Sequence, residues 1–122
     1  MLRTTTGSLT LSLLITASAW AQPVTPVSSV RYDCAQGRTL TAEYFTGPTR
    51  TAPSSAPIPG GHVVLTLSDG KKLTLPQTLS GSGIRYANPD ESFVFWSKGD
   101  TAFVEEGANQ TVTYKDCVGR KK

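Results

Sequence analysis

Ser80-Gly81-Ser82-Gly83-Ile84-Arg85-Tyr86-Ala87-Asn88-Pro89-Asp90-Glu91-Ser92-Phe93-Val94-Phe95-Trp96-Ser97-Lys98-Gly99 is the stretch on which the reading of this chain turns. Ile84 to Ala87 and Ser92 to Ser97 are apolar and aromatic runs of strand length, and Asn88-Pro89-Asp90 between them is turn chemistry. The stretch therefore predicts a hairpin, with a Gly/Ser bend before its first strand and a tight Lys98-Gly99-Asp100 turn after its second. The two outer ends of a hairpin lie together. The hydroxyl of Ser82 and the ammonium of Lys98 are thus expected side by side on one rim. Such a pair donates hydrogen bonds and one positive charge, which suits a carboxylate-bearing partner better than it suits catalysis.

The rest of the chain extends the same architecture. Arg38 to Phe45 alternates, with Leu40, Ala42 and Tyr44 on one face and Thr39, Thr41 and Glu43 on the other. His62 to Leu67 and Lys72 to Leu75 flank Ser68-Asp69-Gly70-Lys71, a hairpin turn in which Asp-Gly tolerates positive φ. Thr101 to Glu105 and Thr111 to Cys117 form a last hairpin through Gly107-Ala108-Asn109, and Val30 to Cys34 opens the domain. Thr46 to Gly61, with Pro48, Pro53, Pro57 and Pro59, reads as one long loop. No stretch carries a helical apolar stripe. An all-β fold of eight short strands at regular spacing follows, either a closed barrel or a sandwich; closure removes exposed sheet edges.

The N-terminus has the form of a secretory signal. Arg3 precedes the apolar run Leu9 to Ile15, and Ala19-Trp20-Ala21 offers small residues for cleavage before Gln22. The apolar run is too short to span a bilayer, which takes about 20 residues. No Cys stands near the cleavage point to carry a lipid, so no membrane anchor is expected. The expected plan is a signal peptide over 1–21, a leader over 22–29, a barrel domain over 30–118 and a basic tail over 119–122. In an exported chain the two cysteines, Cys34 and Cys117, are expected to form a disulfide tying the first strand to the last.

Composition excludes more than it assigns. The net charge of +3 is too small for a nucleic-acid footprint, and Arg85, Tyr86, Trp96 and Lys98 make the one local basic–aromatic cluster. The single histidine, His62, and the missing G-x-S-x-G elbow around Ser82 speak against a serine hydrolase. One histidine and two paired cysteines supply no metal cluster, and Gly81-x-Gly83 lacks the Lys and helix of a phosphate loop. Asp90-Glu91 and Glu105-Glu106 are adjacent pairs that point to opposite faces of a strand. No cofactor or metal and no enzymatic activity are expected. An envelope barrel that binds an oligosaccharide or another ligand stays open, as does the choice between monomer and homodimer.

Ser82-Gly83-Ile84-Arg85-Tyr86 has the form SGxxY, and Phe93 to Gly99 has the form YxxxTKG with Phe93 for Tyr and Ser97 for Thr. With Leu73-Thr74-Leu75-Pro76-Gln77 between them and Cys34, and with Cys117 at the far end, the chain resembles the MliC/PliC family of bacterial inhibitors of c-type lysozyme over about Tyr32 to Cys117. The resemblance implies an eight-stranded antiparallel barrel. It implies c-type lysozyme as the partner, with Ser82 and Lys98 entering the enzyme's cleft and bonding its two catalytic carboxyl groups. It further implies that Tyr86 supports the Ser82 loop from the barrel wall, and that Gly83 and Gly99 allow close backbone approach. The missing lipid-bearing Cys points to the soluble periplasmic branch. Phe93 in place of Tyr removes any hydrogen bond made by that hydroxyl.

Overall fold

Alternating side chains and short polar turns build a closed barrel. The computed structural model describes residues 6–14 and 25–121, of which 6–14 carry no regular secondary structure. The cleavage point expected after Ala21 lies outside the described residues. Eight strands close the barrel: β1 (Ser28–Asp33), β2 (Thr39–Phe45), β5 (His62–Leu67), β6 (Lys72–Thr78), β7 (Ile84–Ala87), β8 (Phe93–Lys98), β9 (Thr101–Glu106) and β10 (Thr111–Lys121). A short ribbon of β3 (Arg50–Thr51) and β4 (Pro57–Ile58) stands apart from it. Around the barrel the order is β1, β10, β9, β8, β7, β6, β5, β2, and every pairing is antiparallel. The open choice between sandwich and barrel is decided by the ladder of β1 with β10, which leaves no sheet edge on the barrel.

The period-2 pattern fills the interior. Leu40 and Ala42 of β2, Val63 and Leu65 of β5, Leu75 of β6, Phe95 of β8 and Val104 of β9 all point inward and are buried. An eight-stranded barrel is just wide enough for such side chains to fill it. Phe93, which stands where the resembled motif has Tyr, is buried in this core, where a ring without a hydroxyl leaves no donor to satisfy. Turns follow local chemistry. At Asp69-Gly70 the Lys71 N–H donates to Asp69 Oδ1 (2.9 Å), and Gly70 takes φ +90°. At Asn88 the side-chain carbonyl accepts the Phe93 N–H (2.9 Å), closing the β7–β8 turn.

Three boundaries differ from the sequence reading. The long loop holds the β3–β4 ribbon, pinned where Arg50 Nη2 donates to the Gln77 carbonyl (2.7 Å). The domain begins at Ser28, inside the expected leader. Its last strand runs to Lys121, so residues 119–121, expected as a tail, form ladder with β1. Only the pairing partner, invisible in a basic terminal sequence, makes that segment a strand. A single 3-10 turn, Ala35–Gly37, links β1 to β2.

Cys34 and Cys117 form the expected disulfide, 83 positions apart, across the seam where β1 meets β10. A loop of that length restricts the unfolded chain by at most about 4.6 kcal/mol, and by less to the extent that the reduced chain keeps residual structure. Reduction, or the Cys34→Ala/Cys117→Ala pair, is expected to lower unfolding free energy by up to that amount, measured by extrapolating urea unfolding to water, with a steeper slope because the unlinked denatured chain exposes more surface.

Candidate functional site

One end of the barrel collects the loops that matter. Chain ends of β2, β6 and β8 and chain starts of β1, β5, β7 and β9 lie there, so the β2–β5 loop, the Ser80–Gly83 bend and the Gly99–Asp100 turn share a rim. The β7–β8 ladder pairs Ile84 with Ser97, which sets Gly83 beside Lys98. Gly83 has φ +70°, and a Cβ there would meet the Ser97 carbonyl oxygen at 2.7 Å and Lys98 Cβ at 3.2 Å. Only glycine fits both the backbone angle and the approach. Gly99 turns β8 into β9 at φ +57° with open space around it, so its role is the turn and not a close contact.

The rim holds two unengaged donors. Ser82 and Lys98 are both exposed and line one depression of about 330 Å³ with Trp96, Ser97, Thr101, Ala102, Phe103 and Glu105. The bend is shaped by Ser80, whose Oγ donates to the Ser82 carbonyl (2.7 Å) and accepts the Ser82 N–H (3.2 Å). The Ser82 hydroxyl itself makes no intramolecular hydrogen bond among the described residues. Among the described residues no carboxylate lies within ion-pair distance of the Lys98 ammonium, while Thr101 Oγ1 donates to the Lys98 carbonyl (2.9 Å) and fixes its turn. Sequence reasoning named Ser82, Lys98, Gly83 and Gly99, and the structure brings them together. It missed Ser80 and Thr101; each is a hydroxyl placed two or three residues from a turn, the spacing of local side-chain-to-backbone bonds.

Tyr86 lies elsewhere. It points into the barrel, 5.9 Å from the Tyr44 ring and 6.2 Å from the Phe95 ring, and lines a cavity of about 460 Å³ in the barrel mouth. Ile84 and Tyr86 alternate inward on the strand that carries the bend. In the same mouth the Tyr32 and Tyr44 hydroxyls share a hydrogen bond (2.6 Å), and Tyr44 donates to the buried Ser97 Oγ (3.2 Å). The Ser97 hydroxyl is thus engaged in the interior and does not belong to the exposed rim.

Burial pushes the Tyr86 phenol up to about 12, with the nearby Tyr32 adding to the rise, and burial pushes Tyr44 up as well. His62 stacks flat on Phe45 at 4.6 Å. Among the described residues no cluster of three His, Cys, Asp or Glu side chains could hold a metal.

Residues 32–113 match the protein family described as membrane-bound lysozyme-inhibitor of c-type lysozyme. The chain belongs to this family. It is similar to the membrane-bound lysozyme inhibitor of C-type lysozyme of Yersinia enterocolitica, 51% identical over 49 residues, which are 40% of this chain and 38% of that protein. It is also similar to the protein of the same name from Cupriavidus necator, 34% identical over 74 residues, 61% of this chain and 49% of that one. The matched part spans less than half the length of either relative. No solved structure matches the chain. The lysozyme-inhibitor family is named for membrane attachment, yet among the described residues no helix is long and apolar enough to cross a membrane.

Two outcomes are expected. Gly83→Ala should lower unfolding free energy by at least about 1 to 2 kcal/mol, the strain of an alanine at positive φ, with the approach of its Cβ to the Ser97 carbonyl adding to it; urea unfolding measures it. The raised Tyr86 value means that the unfolded chain, with its ordinary value of 10.0, releases this proton first as pH rises. Stability from Tyr86 should be complete below about pH 10 and be lost as pH climbs through about 12. Thermal melts over that range should show the fall, and Tyr86→Phe should make it shallower, leaving the part that the likewise raised Tyr44 contributes.

Proposed function

We propose that this protein inhibits a c-type lysozyme by occlusion, setting Ser82 and Lys98 into the enzyme's cleft against its two catalytic carboxyl groups. One lysozyme carboxyl works as a general acid with a raised pKa and the other stays ionised. A serine hydroxyl both donates and accepts, so it meets the acid in either state, and the ammonium pairs with the ionised group. Away from water such charge-assisted bonds are about twice as strong as neutral ones. Neither donor has to break an internal bond first. The observation that carries the reading is their shared, unengaged position on one rim, beside the family membership of the chain.

Blocking needs no turnover, and nothing in the arrangement asks for a cofactor. The site of action is the periplasm, where an exported inhibitor shields peptidoglycan. The cavity in the barrel mouth favours one other reading, a barrel that holds a small ligand such as an oligosaccharide. A protein of that kind would bind sugar and leave lysozyme activity untouched.

The test is lysis of a Gram-positive cell suspension by c-type lysozyme. The wild-type protein should slow it at micromolar excess. Lys98→Ala should raise the inhibition constant about thirtyfold or more, because it strands a carboxylate that the cleft has desolvated. Full lysis in the presence of the wild-type protein would end the proposal, and an unchanged constant for Lys98→Ala would end the site assignment.

A further inference from the structure

The outer wall below the rim carries an aromatic shelf. Arg85, Trp96 and Phe103 are cross-strand neighbours on the outward face of β7, β8 and β9. The Trp96 and Phe103 rings stack with centroids 5.9 Å apart and planes 17° from parallel. The Arg85 guanidinium sits 5.6 Å from the Trp96 ring centre, itself held by Thr78 Oγ1 (2.9 Å) and by Glu91 (3.2 Å). Phe103 is 37% exposed, and Val112 and Val118 on the adjoining β10 are more exposed still, at 46% and 55%. Outward positions of a soluble barrel strand are ordinarily polar, and clustered apolar ones mark an interaction surface.

We infer that the Trp96–Phe103 shelf is a second docking surface for the same lysozyme, seating the lip of the enzyme's cleft while Ser82 and Lys98 fill it. The inference rests on the inhibitor reading above. Its basis is continuity: Ser82, Lys98, Trp96, Phe103 and Glu105 line a single depression, so an enzyme whose carboxyl groups reach the first two brings its lip onto the others. Size argues the same way. A specific interface buries about 800 Å² on each partner, and two side chains on a rim supply only a small part of that. Rigid aromatics are the usual anchors of such interfaces, and Arg85 already fixes Trp96, so little rotamer freedom is lost on binding.

The chemistry of the depression specifies the lip. Lys98 at one end seeks a carboxylate and Glu105 at the other seeks a base, with the two rings between. The segment that fits presents an apolar side chain to the rings and a Lys or Arg toward Glu105.

Dissociation constants and inhibition curves for hen-type c-type lysozyme are measured with the wild-type chain, Phe103→Ala and Lys98→Ala, together with melting temperatures and sedimentation. Phe103→Ala should bind about tenfold more weakly yet still inhibit fully at saturation, because the rim donors are intact. An unchanged dissociation constant in a folded Phe103→Ala protein would overturn the shelf while leaving the inhibitor reading in place. So would Phe103→Ala turning a wild-type dimer into monomers with no loss of lysozyme affinity, since the occupant would then be a second copy. A wild-type chain that does not inhibit at all would overturn the inhibitor reading, and the shelf with it. Should Phe103→Ala fail to fold, the Trp96 indole N–H resonance of the labelled wild-type protein decides. It should shift on adding unlabelled lysozyme, and an unmoved resonance would overturn the inference.

Discussion

The register of β7 against β8 is the constraint on which the site depends. Tyr86 opposite Phe95 and Ile84 opposite Ser97 put four side chains into the barrel and leave Arg85, Trp96 and Lys98 outside. A slip of one residue would turn Lys98 inward and bring the Phe95 ring, now fully buried, to the surface. The cost of exposing an aromatic ring of that size, about 2 kcal/mol or more, holds the register. Core packing and the presentation of the rim ammonium are therefore one and the same choice of pairing.

The rim fixes the backbone that carries its two donors and leaves both side chains unengaged. Gly83 brings the bend against Lys98, Ser80 closes the bend on itself, and Thr101 fixes the turn after β8. Backbone order is supplied by hydroxyls that have no other task. The Ser82 hydroxyl and the Lys98 ammonium are exposed on this ordered backbone, and in the proposed complex the backbone beneath them would have little left to order. Inside the mouth the division is reversed. Tyr32, Tyr44 and Ser97 satisfy one another, so that none of these three hydroxyls is left without a partner.

Much of this was legible in the sequence, and the limits have physical causes. The alternation of Leu40, Ala42 and Tyr44 predicts the inward face of β2, and Asp69-Gly70 predicts its turn, because both signals are local. The spacing from Ser82 to Lys98 predicts a shared rim, because a hairpin fixes what its ends do. The strand character of residues 119–121 was not legible, since Gly119, Arg120 and Lys121 become strand only through pairing with Tyr32, Arg31 and Val30. Nor was the β3–β4 ribbon, two residues on each side and rich in proline around it, which the Arg50 bond to the Gln77 carbonyl ties to β6. The shelf escaped for another reason. Phe103 sits in a strand where an apolar residue reads as core, and only the structure shows it facing out.

The central claim is that this molecule occupies the catalytic cleft of lysozyme. Competition with an N-acetylglucosamine trisaccharide that fills the cleft tests it most directly. The inhibitor's apparent dissociation constant for lysozyme should rise in inverse proportion to the fraction of enzyme left free of the sugar. A dissociation constant that does not move at saturating trisaccharide would contradict the account.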